Sequence, residues 1–154
     1  MPSSERMRRI NELLGETNSI YHDIALSFGL AQSSLDILYA ICQSGDSCRL
    51  SDICRLMGMS KQTLNSALRK LEGDGAVYLE AAGGRHKRVC LTESGKRLAS
   101  ETAMRVIDAE NSVLSEWSQK DVEMYLELSE KFNRELRAKW REGYGCGQKG
   151  EENK

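Results

Sequence analysis

From Ser60 to Leu71 the chain reads SKQTLNSALRKL, a stretch without aspartate or glutamate. Wound as a helix at about 100° per residue, it places Leu64, Ala67, Leu68 and Leu71 on one side. Gln62, Asn65, Ser66, Arg69 and Lys70 fall on the other, with Ser60, Lys61 and Thr63 completing the polar end. These outer side chains suit one chemistry. Glutamine and asparagine amides match the major-groove edge of adenine, and a guanidinium matches guanine. Serine, threonine and lysine add hydrogen bonds to phosphate oxygens. Any surface helix is polar on one side, but that alone does not explain why carboxylates are excluded. A polyanionic duplex as partner explains both features.

A second cationic group follows. Arg85, His86, Lys87 and Arg88 come directly after Gly83-Gly84, between the β-prone runs 76–80 and 88–91. This pattern predicts a two-stranded hairpin whose tip carries the charges. Beside the preceding helix, such a tip reaches phosphates or a narrow minor groove, where negative potential is focused. Its alternative role is to keep an edge strand soluble. Arg85 and Lys87 are the firmer contacts, because Arg88 can point across the strand. Charge along the chain agrees: Arg49 to Arg97 contains ten basic and five acidic residues, 10 − 5 = +5, within a chain of net charge −1. A cationic middle between anionic flanks points to a polyanionic partner.

The elements that position these groups are mostly helical. Apolar residues recur at three- and four-residue steps over 5–28, and again from Gln32 or Ser33 to about Gly45. A short helix opens at Ser51 as N-cap, turns Ile53, Leu56 and Met57 inward and stops at Gly58. Ser60 caps the next helix, which Gly73-Asp74-Gly75 ends. After the hairpin, one helix is predicted from about Glu93 to Trp117. Ser118 with Asp121 then forms a capping box for a last helix carrying Tyr125, Phe132, Leu136 and Trp140. The fold class is therefore mainly α with a small β-hairpin wing. It reads as a winged helix-turn-helix over 33–92, an N-terminal dimerisation helix over 1–32, C-terminal dimerisation helices over 93–142 and a flexible tail over 143–154. The long terminal helices carry more apolar surface than a small winged domain can cover, which predicts a homodimer.

The run from Leu50 through Ser60, Gln62 and Asn65 to Gly75, followed by Leu91-Thr92-Glu93-Ser94-Gly95-Lys96, resembles the MarR family of bacterial transcriptional regulators. The resemblance implies a dimer built from the terminal helices of both subunits. It also implies binding to a palindromic operator on double-stranded DNA, usually as a repressor released by a small molecule or by cysteine oxidation. Arg85 falls at the family's wing arginine. Gly83 stands where the family usually has an aspartate, so the acid–arginine pair that would orient the wing is missing.

Other chemistry has weaker support. Tyr21, His22 and Tyr39 are candidate lining groups for an effector pocket. Cys48 and Cys54, next to Arg49 and Arg55, are the candidate redox thiols, and structural use is the alternative. Cys42 and Cys90 read as core residues, and Cys146 lies in the tail. The cysteine spacing offers no metal site. His22 and His86 sit on separate elements, and there is no phosphate loop or nucleophile elbow, so neither catalysis nor a cofactor is expected. No apolar run spans a bilayer and the charged N-terminus lacks a signal sequence, which predicts a cytoplasmic protein without a membrane partner. Two readings stay open beside DNA-binding regulation: a winged-helix module for protein interaction, and a cysteine-based redox-sensing regulator.

Overall fold

The computed structural model describes residues 2–144, which form two compact units, one through Ala109 and one from Glu110 onward. In the first lie α1 (Ser3–Ser27), α2 (Gln32–Gln43), β1 (Ser47–Arg49), α3 (Leu50–Met57), α4 (Lys61–Gly73), β2 (Val77–Ala81), β3 (Lys87–Leu91), α5 (Glu93–Glu101) and most of α6 (Ala103–Ser115). The second contains the end of α6 and α7 (Gln119–Tyr144).

Helix α2 is the centre of the first unit because it is apolar on nearly every side. Ile37, Leu38 and Ile41 are fully buried and meet Ile53 of α3, Leu64, Leu68 and Leu71 of α4, and Val89 of β3. The sheet has the order β1-β3-β2, antiparallel throughout. Cys48, Val89 and Leu79 stand opposite one another across the three strands. Cys48 and Val89 are buried and Leu79 packs against the core, so this is the inward face.

The hairpin of the sequence analysis is thus two strands of three. Strand β1 has no signature in the sequence, because three residues are too few to establish a period of two. It also shifts the start of the following helix. Arg49 ends β1 and occupies the N-cap of α3 without a side-chain cap, so Ser51, the predicted cap, lies inside the helix. Leu56, expected inside, is 49% exposed, and α3 buries only Ile53 fully.

The single helix predicted over 93–117 is broken in two. Thr102 leaves helical geometry at φ −126° and ψ −86°, and its hydroxyl donates to the Leu98 carbonyl at 2.7 Å. A buried threonine that bonds the preceding turn supplies the bend without proline or glycine. In the second unit, the Asp121 amide donates to Ser118 Oγ at 3.2 Å and the Ser118 hydroxyl to the Asp121 carboxylate at 2.6 Å. The predicted cap is therefore present at the start of α7. Trp117 and Tyr125 meet edge to face at 5.8 Å. α7 continues through Tyr144, two residues into the predicted tail. The rest of that tail, including Cys146, lies outside the described residues. Among the described residues, no single helix is long and apolar enough to cross a membrane.

Ser60 has the predicted role. Its Oγ accepts from the Thr63 amide at 3.1 Å while its proton goes to Thr63 Oγ1 at 2.9 Å. Removing the hydroxyl in Ser60→Ala leaves an orphan amide in the first turn of α4 and should cost about 1 kcal/mol. Denaturant unfolding at neutral pH measures the loss, and an unchanged midpoint would contradict it.

Asp36, half-buried on α2, is the described carboxyl most displaced from its ordinary value. Burial pushes its pKa from 3.8 up to about 6. A raised carboxyl pKa favours the folded state in its protonated form. That contribution is full below pH 3.8 and is lost as pH rises through about 6. The whole displacement corresponds to about 3 kcal/mol, which solvent screening of a half-buried group reduces to about 1 kcal/mol. Asp36→Asn should therefore raise the thermal midpoint at pH 7.5 and leave it unchanged at pH 3.5. Equal effects at the two pH values would contradict this assignment.

Candidate nucleic-acid interface

Helix α4 is oriented by its apolar stripe. Leu64, Ala67, Leu68 and Leu71 are all buried, and α4 packs against α2 through them. Every other residue from Ser60 to Lys70 is exposed, including Lys61, Gln62, Thr63, Asn65, Ser66 and Arg69. The helical-wheel assignment of the two faces is therefore the observed one. Upstream, Gly58 ends α3 in the left-handed region at φ 60°. The Met59 amide closes that turn on the Cys54 carbonyl at 3.1 Å, so the chain passes into α4 through a tight joint.

The electrostatics of this face are one-sided. No acidic residue lies in the first turn of α4, as in α2 and α6, whereas α1, α3, α5 and α7 each have one there. Lys61 sits instead at the positive end of the helix dipole, an unfavourable place for a cation that a bound anion would offset. Among the described residues, no ion pair engages Lys61, Arg69, Arg85 or Lys87. Lys70 has an exposed partner in Asp74 at 3.8 Å. Ser60 and Thr63 are occupied by the cap, so their hydroxyls serve the helix first.

The wing tip turns through Gly83 at φ 94° and Gly84 at φ 58°. It is closed by the His86 amide on the Gly83 carbonyl at 3.0 Å and the Ala82 amide on the His86 carbonyl at 2.9 Å. Gly83 and Gly84 thus hold backbone angles in which a side chain would be strained. Arg85, His86 and Lys87 are exposed along a shallow groove of about 280 Å³ that also includes Glu80. Arg88 is separate from the tip. It lies opposite Glu80 on β2 and Arg49 on β1, half-buried on the outer sheet face. Arg49 is a cation that sequence reasoning did not select, because only the pairing of β1 with β3 brings it to this face.

The remaining candidates separate. Tyr21 on α1 and Tyr39 on α2 are half-buried against the same core, and the Tyr39 hydroxyl accepts from Gln43 Nε2 at 3.4 Å. His22, the next residue along α1, is exposed and does not join them. Cys48 fails the access that a redox thiol needs: β1 turns it into the core, where its sulfur accepts from the Ser44 hydroxyl at 3.3 Å. Cys54 is half-buried, and its cationic neighbour Arg55 is engaged by Asp52 at 3.4 Å. Burial, followed by the charge of Asp46, pushes the Cys42 thiol up. Burial, with Glu80, does the same to Cys90. Both shifts disfavour the reactive thiolate.

The MarR family model matches residues 28–88. No curated protein sequence matches the chain. Among solved structures, a MarR/EmrR family transcriptional regulator from Acinetobacter sp. ADP1 is similar with a TM-score of 0.69 at 19% identity, covering 88% of this chain and 96% of that one. MepR of S. aureus, solved in complex with DNA, gives 0.62 at 21% identity over 88% of this chain and 98% of its own. BpsR of Bordetella bronchiseptica, whose DNA binding is regulated by 6-hydroxynicotinic acid, gives 0.60 at 17% identity, over 81% and 98%. Residues 28–88 thus match the MarR family model, and the chain has the fold of these solved structures.

Proposed function

We propose that the chain is a sequence-specific regulator of transcription that binds double-stranded DNA as a homodimer. The observation that carries this reading is the exposed outer face of α4 from Ser60 to Lys70, which holds no carboxylate before Glu72 at the far end, with Lys61 and Arg69 outside any ion pair among the described residues. Gln62, Asn65, Ser66 and Arg69 read base edges in the major groove, while Lys61 and Lys70 hold phosphates. Arg85, His86 and Lys87 reach the backbone or minor groove alongside, while Arg88 lies half-buried on the outer sheet face behind them. Likeness to MepR, solved in complex with DNA, supports this assignment.

Residues 1–32 and 93–142 supply the dimer contacts in this reading. Ile10, Leu13, Leu14 and Ile20 on α1, and Leu126, Leu128, Phe132 and Leu136 on α7, are large apolar side chains exposed in the single chain. A second copy is the economical cover for them. Two α4 helices related by a twofold axis would enter successive major grooves ~34 Å apart, which calls for a palindromic operator. The protein acts in the cytoplasm as a repressor released by a small molecule. Likeness to a ligand-regulated protein supports the release step, and Tyr21 and Tyr39 are the lining groups to test first.

Selection of genomic fragments on the purified protein should return a palindrome with half-sites about one helical turn apart. On that duplex, Arg69→Ala should lower the preference for the specific site by about 10- to 100-fold. Lys87→Ala should weaken specific and random duplexes alike and reduce the salt slope by about 1. Equal losses on all sequences for both variants would contradict the division between reading and gripping residues.

A further inference from the structure

We infer that Thr92, Ser94 and Gly95 are positioning residues: they fasten the start of α5 to the chain leaving α4, and so fix the wing relative to the base-reading face. This inference rests on the DNA-binding reading above.

After Gly73 the chain leaves α4 through Asp74 and Gly75 and enters β2 at Val77, the partner of Leu91 at the base of the wing. Two glycines flanking one residue would alone be a loose joint, about which the wing could swing. Hydrogen bonds from the far side of the hairpin close it. The Thr92 hydroxyl lies 2.6 Å from the Gly75 carbonyl oxygen and 3.1 Å from that of Ala76, and its proton serves both. Ser94 Oγ donates to the same Gly75 carbonyl at 2.9 Å. The Thr92 amide donates to the Ala76 carbonyl at 3.0 Å, and Thr92 Oγ1 accepts from the Gly95 amide at 3.0 Å as the cap of α5.

Gly95 is buried, with its Cα so close to Ala76 that a Cβ would run into the Ala76 carbonyl oxygen. Its value here is closeness rather than an unusual backbone angle. Lys96 adds ion pairs to Glu93 at 3.4 Å and to Asp46 at 3.6 Å, from the segment just before β1. Four pieces of chain therefore meet at one point: the exit of α4, the wing base, the first turn of α5 and the approach to β1. Specific binding needs α4 and the wing tip to engage the duplex together, so their mutual placement is worth affinity that neither contact supplies alone.

The test compares Thr92→Val, which keeps the shape and removes the hydroxyl, with Thr92→Ser, which keeps the hydroxyl. In the full chain, the ratio of specific to random duplex affinity should fall about tenfold for Thr92→Val and stay within about twofold of the parent for Thr92→Ser. A parental ratio in Thr92→Val would overturn the inference, as would a Thr92→Ser variant equally impaired. If Thr92→Val does not fold, Ser94→Ala takes its place, with an expected loss of about threefold. An unchanged ratio in Ser94→Ala then overturns the clamp. If the parent protein binds no duplex, the DNA-binding reading fails by itself. The clamp is then decided by amide hydrogen exchange over 75–77: faster exchange in Thr92→Val than in Thr92→Ser upholds it, and equal rates remove it.

Discussion

The burial of Leu64, Ala67, Leu68 and Leu71 against α2 decides which way α4 faces, and the candidate interface depends on that orientation. Each large apolar side chain buried in this stripe contributes about 2 kcal/mol relative to exposure. Rotating the helix by half a turn would forfeit that contribution three times over while burying Arg69, Gln62 and Ser66. No hydrogen bond on the outer face is needed to hold it. The outer side chains are left available for a partner because the inner ones alone fix the helix.

Electrostatics sharpen this division. A cation at the N-terminus of α4 and an outer face without carboxylates from Ser60 to Lys70 do nothing for the isolated fold, and Lys61 works against it. Such features make sense for a surface that meets a dense array of phosphates. Some exposed cations elsewhere are paired instead: Arg8 and Arg9 lie within reach of Glu12, and Arg55 of Asp52. The wing is likewise cationic, with Arg85 and Lys87 outside any ion pair among the described residues and its turn set by Gly83 and Gly84.

What could be read from the sequence was what depends on local periodicity and capping. The two faces of α4, the Ser60 cap, the Gly58 stop and the cap at Ser118 all follow from residues within one or two turns of each other. What could not be read depends on distant contacts. Strand β1 exists because Ser47, Cys48 and Arg49 find β3, some forty residues later, and nothing in their own order announces it. That one pairing explains three departures: Cys48 is buried, Arg49 faces Arg88, and α3 starts before Ser51. The break at Thr102 was invisible for another reason, since a threonine inside a helical stripe reveals nothing of its i−4 bond until the turn is seen. The candidate interface was therefore legible in α4, partly legible in the wing, and scarcely legible for an effector pocket.

The central claim is that the outer face of α4 meets phosphates and base edges directly. The most direct measurement is the duplex affinity of Ser66→Glu, which places one carboxylate in the middle of that face without touching the buried stripe. At least a tenfold loss of affinity for the selected duplex is expected, from a new charge facing phosphates at close range, with thermal unfolding unchanged. A variant that binds the duplex as tightly as the parent would contradict it.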